Sequence, residues 1–213
     1  MEDNKDRMDV YLLLDRTGSM APLWTEAVSS VNAYVKELAK DGIGDRVTLA
    51  AFDSHEGGIQ FDVLRDFVLI TEWQDIKEDE VLPRGMTPLF DALARLITRA
   101  EVIDNKKTAI VVMTDGQENA SKEVTREAMK ASLDRVKAKN WQVNFLGADF
   151  DGFVDAHRLG VAKDYQMNIA RGSAEAAMSS TARKHSAYRN CEQLVSYSRE
   201  DRDNAREDDV DKE

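Results

Sequence analysis

An α/β three-layer sandwich is the fold this sequence predicts, with a mostly parallel six-stranded sheet and one antiparallel edge strand. Three observations lead to it. Short, continuously apolar runs recur along the 213-residue chain, as strands buried on both faces require. Stretches with apolar residues three and four apart alternate with those runs, as helices covering a sheet require. Finally, one pair of strand-like runs is separated by a turn so short that the two must pair antiparallel.

In chain order, Val10 to Leu14 (VYLLL) reads as the first strand. Residues 22–40 follow as a helix, with Pro22 in its first turn, Val28, Val31, Val35 and Leu38 on one face, and Gly42 and Gly44 to stop it. Val47 to Phe52 is the second strand. After the turn at 53–58, residues 59–70 form the third, its hairpin partner. Residues 72–86, with several acids, Pro83 and Gly85, read as loop. Residues 88–103 are helical, with Leu89, Leu93, Leu96 and Ile97 on one side. Ala109 to Met113 is the fourth strand, 121–139 a helix capped by Ser121, and Trp141 to Leu146 the fifth strand. A short helix at 152–159, a sixth strand from Tyr165 to Ile169 and a last helix over 173–197 complete the domain, which is assigned residues 1–197. Residues 198–213 hold eight acids, four bases and a single Val, a composition expected to stay disordered.

Composition narrows the function classes. Lys and Arg total 29 and Asp and Glu 40, a formal charge of −11, which argues against nucleic-acid binding because phosphate contacts need a basic surface. The single cysteine, Cys191, excludes an internal disulfide and a multi-cysteine zinc site. No apolar run is long enough for a membrane span, and the charged opening MEDNKDRMDV does not read as a secretory signal, so a cytoplasmic setting is expected. His55, His157 and His185 lie far apart and form no helical metal pair.

Three short segments carry the candidate chemistry. Asp15-Arg16-Thr17-Gly18-Ser19 follows the first strand, Gly85-Met86-Thr87-Pro88 precedes a helix, and Thr114-Asp115-Gly116 follows the fourth strand. In an open α/β sheet, ligands bind beyond the carboxyl ends of the strands, where the strand order reverses. A 3-2-1-4-5-6 order would bring the three segments together there. Their side chains offer only oxygen, two carboxylates and three hydroxyls, which suits a hard divalent cation. A shell rich in neutral hydroxyls leaves such a cation electrophilic and ready for a carboxylate from outside.

The first segment resembles the Asp-x-Ser-x-Ser signature of von Willebrand factor type A (vWA) domains, with Thr17 where the first Ser usually stands. Thr87 resembles the family's isolated Thr, and Asp115 in Thr-Asp-Gly its final Asp. Together they resemble the metal-ion-dependent adhesion site (MIDAS), over about residues 8–170 of a Rossmann-like fold. The resemblance implies that Thr17, Ser19 and Thr87 bind Mg²⁺ (or Mn²⁺ or Ca²⁺) directly or nearly so, while Asp15 and Asp115 act through water and by orienting neighbours. It implies a binding module, not an enzyme, whose protein partner supplies an Asp or Glu, and it points to stand-alone bacterial or phage members of the family.

Asp53, Glu56, Glu118, Asp149 and Asp151 also fall at strand ends and are expected to form an acidic rim that selects a basic partner surface. A second reading is a structural or assembly component of a larger complex or phage particle, with the metal only stabilising. An aspartyl phosphatase would need a second Asp at position 17, where this chain has Thr17.

Overall fold

The structure, a computed structural model, describes residues 7–147, 153–191 and 193–208. The sheet order is β3-β2-β1-β4-β5-β6. β1 (Asp9–Asp15) lies between β2 (Arg46–His55) and β4 (Thr108–Thr114) and runs parallel to both. β5 (Gln142–Gly147) and the short β6 (Gln166–Asn168) continue the parallel array, and β3 (Gly58–Leu69) pairs antiparallel with β2 at the other edge.

The apolar runs are continuous because the central strands are buried on both faces. Side chains alternate across a strand. Val10, Leu12 and Leu14 therefore join one core, with α1 (Trp24–Leu38) and α5 (Ala174–Arg189). Tyr11 and Leu13 join the other, with α2 (Leu89–Ile103) and α3 (Arg126–Ala138). Each fully buried Leu in these layers contributes about 2 kcal/mol of transfer free energy. The short helix α4 (Phe153–Arg158) lies between β5 and β6 in sequence. Among the described residues, no helix is long and apolar enough to cross a membrane.

Three expectations are corrected. The helix expected from residue 121 begins at Arg126, capped by Thr125, whose Oγ1 accepts from the Ala128 amide at 3.2 Å. The preceding amides are held by carboxylates instead. Asp91 accepts from the Lys122, Glu123 and Val124 amides at 2.8–3.0 Å, and Ser121 Oγ accepts from the Asp91 amide. The last helix stops at Arg189 rather than 197. The Gln142 side chain takes over the following segment, accepting from the Val195 amide at 3.0 Å and donating to its carbonyl at 2.8 Å.

Residues 198–208 of the expected disordered tail are folded. Ser198 and Asp201 form a capping box that opens α6 (Arg199–Asn204), and Ala205 is fully buried. The charges of this segment pair within the fold, Lys184 with Asp201 at 2.9 Å and Arg202 with Glu207 at 2.7 Å. Glu207 also accepts from the Asn168 amide of β6 at 2.9 Å. Residues 209–213 lie outside the described residues.

Candidate functional site

The strand order reverses at the carboxyl ends of β1 and β4, and Asp15 and Thr114 are the last residues of those strands. Asp15 is fully buried. One carboxylate oxygen accepts from the Thr17 amide at 2.8 Å, and the other from the Thr114 hydroxyl at 2.6 Å. Burial pushes this carboxyl up to about 7, against hydrogen bonds from Thr114 and Thr17 that favour its charged form. With both oxygens engaged, Asp15 holds the first loop in shape. That loop presents its hydroxyls in a chain. Thr17 Oγ1 and Ser19 Oγ lie 3.1 Å apart, and Ser19 Oγ donates to Asp115 Oδ1 at 2.8 Å across the seam between the strands.

Thr87 closes the cluster from the α2 side. A Cβ placed on Gly116 would lie 3.3 Å from Thr87 Oγ1 and 3.7 Å from Ser19 Oγ, so the two hydroxyls converge on a residue that has no side chain to fill the gap. The loop bearing Thr87 is tied to its neighbours by backbone bonds. Gly18 N donates to Gly85 O at 3.2 Å, Arg84 N to Arg16 O at 2.8 Å, and Ser54 and Met86 exchange bonds of 2.9 and 3.3 Å. Gly85 has φ +72°, and a Cβ there would sit 2.0 Å from Ser54 O, so only glycine fits this crossing. Asp15, Thr17, Ser19, Thr87 and Asp115 are thus brought to one place by four loops and two strand ends. The donor set is all oxygen and fits a hard divalent cation. It is rich in hydroxyls, and among the described residues no group of three or more His, Cys, Asp or Glu is placed to hold a metal.

A family model for the von Willebrand factor type A domain matches residues 9–184. The chain belongs to this family. No curated protein matches the sequence. Several solved vWA-fold structures do match. The pilus adhesin SpaC of Lactobacillus rhamnosus GG, in an open conformation, is 16% identical with a TM-score of 0.63, over 84% of this chain and 30% of SpaC. The PilB minor pilin of Streptococcus sanguinis is 14% identical with a TM-score of 0.58, over 86% of this chain and 62% of PilB. The manganese-loaded TRAP protein of Plasmodium vivax is 18% identical with a TM-score of 0.54, over 81% of this chain and 72% of TRAP. This chain thus spans less than two thirds of SpaC and PilB. At these identities the likeness establishes the fold.

The expected acidic rim of the vWA domain is corrected at two positions. Asp53 is fully buried, because Arg16 Nε and Arg84 Nε both donate to its Oδ2, at 2.7 and 3.1 Å. It is an internal counter-charge. Glu118 turns inward to accept from the amides of Phe90, Ala120 and Ser121 at 2.6–2.9 Å, which occupies it at the N-terminus of α2. Glu56 is exposed in the β2–β3 turn, while Asp149 and Asp151 lie outside the described residues. Sequence reasoning missed Asn119, whose Oδ1 accepts from the Thr87 amide at 2.9 Å and whose amide donates to Thr87 O at 3.1 Å. It also missed Arg16, nearly buried within the first motif, whose second partner is Asp62 at 2.6 Å. A charged residue inside a hydroxyl motif at a strand end was the available signal for Arg16; Asn119 had none.

Proposed function

We propose that this vWA domain is a metal-dependent protein-binding module. Thr17, Ser19, Thr87, Asp15 and Asp115 would hold the cation as a MIDAS, with Mg²⁺ or Mn²⁺ favoured by the oxygen-only donor set and Ca²⁺ a further fit. The observation that carries this reading is the convergence of the Ser19 and Thr87 hydroxyls on Gly116, beside an Asp115 carboxylate already hydrogen-bonded to Ser19. When bound, the cation would supply an electrophilic position for an Asp or Glu carboxylate of a partner protein. Asp15, buried and doubly hydrogen-bonded, sets the loop; Asn119 sets Thr87. The likeness in fold to adhesins, pilins and the manganese-loaded TRAP protein supports the same reading, and no catalytic step is assigned to these residues.

Thermal melting of the wild type and Thr87→Ala, with Mg²⁺ or Mn²⁺ against chelator, tests it. A ligand that binds only the folded state raises stability by RT ln(1 + [L]/Kd), about 2.7 kcal/mol at a hundredfold excess over Kd. An upward shift in the wild type that Thr87→Ala lacks supports the metal centre. Equal behaviour in both proteins overturns it and leaves the assembly reading.

A further inference from the structure

Five large hydrophobic side chains stay exposed among the described residues. Ile43, Val102 and Ile103 belong to the end of the sheet where the parallel strands begin. Leu82, 65% exposed, and Met86, 53% exposed, lie at the other end, on the loop that leads into Thr87. That loop is held to Arg16, Gly18 and Ser54 by the backbone bonds described above. Its apolar side chains are therefore displayed from a fixed backbone, and immobile apolar surface beside a binding site marks a contact.

Charge on the same loop points the same way. Between Leu82 and Met86 stands Arg84, its guanidinium half exposed and anchored through Nε to the buried Asp53. The acids expected to face a basic partner here are turned away, Asp53 into the interior and Glu118 onto backbone amides. Although the chain as a whole carries −11, this wall of the site is apolar and positive.

Resting on the metal-centre reading above, we infer that the 82–86 loop is a specificity wall, and that it selects a partner segment whose acidic residue is flanked by apolar side chains. Those flanks would rest on Leu82 and on Met86, a side chain flexible enough to fit varied shapes. Arg84 attracts the segment's negative group and repels basic flanks. The backbone is already fixed, so docking orders few additional groups.

The test is an NMR titration of the full chain, methyl-labelled at Met and Leu, in Mg²⁺. One probe is a peptide with a single glutamate flanked by leucines, and the other is the same peptide with serines. The leucine-flanked probe should bind about tenfold tighter and shift the Met86 methyl, since burying two or so methylenes is worth that factor. The preference should vanish in a Leu82→Ser, Met86→Ser double variant whose Mn²⁺ affinity, read by water proton relaxation, is unchanged. If wild-type protein binds Mn²⁺ but responds to the two probes equally, or to neither, this inference falls and the metal centre stands. If it binds no Mn²⁺ and chelator leaves peptide binding unaltered, the metal-centre reading falls and this inference with it.

Discussion

Thr114 and Asp15 are joined across the seam where the strand order reverses, the Thr114 hydroxyl donating to Asp15 Oδ2 at 2.6 Å with both residues buried. This bond fixes the carboxylate that in turn holds the Thr17 amide, so one hydroxyl on β4 governs the shape of the loop after β1. Thr114→Val keeps the shape of the side chain and removes only the donor. It should destabilise the fold by about 1–3 kcal/mol, because a buried acceptor is left unpaired. Urea unfolding measures the loss. A change below a few tenths of a kcal/mol would show that the bond contributes nothing net.

Arg16 has two acidic partners in unlike settings. Asp53 is fully buried, whereas the Asp62 side chain is half exposed. Removing one partner of a buried pair strands a charge in the interior, so Asp53→Asn should cost about 3–5 kcal/mol. Asp62→Asn acts on a solvent-screened pair and should cost under about 1 kcal/mol. Equal losses for the two variants in chemical denaturation would contradict this assignment.

Asp91 organises the segment before α3 through three backbone amides. Asp91→Ala should destabilise by about 3 kcal/mol, since hydrogen bonds to a buried charged group are among the stronger ones. Amide exchange should rise most at Lys122, Glu123 and Val124. Uniform exchange across the domain, with no local increase there, would count against the role.

His185 is fully buried between two partners, Tyr34 Oη at 2.5 Å from Nδ1 and Asn144 Oδ1 at 2.9 Å from Nε2. The carbonyl oxygen requires a donor, so Nε2 carries the proton and Nδ1 accepts from the tyrosine. Burial drives the imidazole pKa down to about 3. Between pH 6.5 and 3 the unfolded chain therefore takes up a proton that the folded one refuses. This contribution to stability is complete above about pH 6.5 and falls as pH drops, by up to about 1.4 kcal/mol per pH unit. Asp15, held at about 7 by burial, works in the opposite direction over much of that range. The wild type should thus lose more stability than His185→Phe between pH 7 and pH 5, as read from urea midpoints. Parallel profiles would place the protonation elsewhere.

Much of the fold was legible because periodicity reports burial. The runs at Val10 to Leu14 and Ala109 to Met113 are apolar throughout, and β1 and β4 are the strands covered on both faces. The site was legible because its residues fall at strand ends, where Asp15, Thr17, Ser19 and Asp115 must be neighbours once β1 and β4 pair. What escaped depends on contacts distant in sequence. The start of α3 is set by Asp91, roughly thirty residues earlier, and the end of α5 by Gln142, about fifty residues earlier. The tail was misread because composition counts charges without showing that Lys184 and Glu207 would find partners in the fold. Asp53 was placed on the surface because its counter-ions, Arg16 and Arg84, come from two other loops.

The exchange between the Gln142 side chain and the Val195 backbone has a consequence for how the protein behaves in a crowded solution. β6 pairs only with Phe145, Leu146 and Gly147, which leaves the first half of β5 at the margin of the sheet. A bare strand margin is a template on which foreign chains polymerise. Here a side-chain amide mimics a ladder rung and recruits the chain's own C-terminal segment as a cover. At the opposite margin, β3 carries Asp62, Arg65 and Asp66, and the register shifts in its pairing with β2. One margin is shielded and the other is irregular and charged, so the open sheet is protected against fibril-like growth.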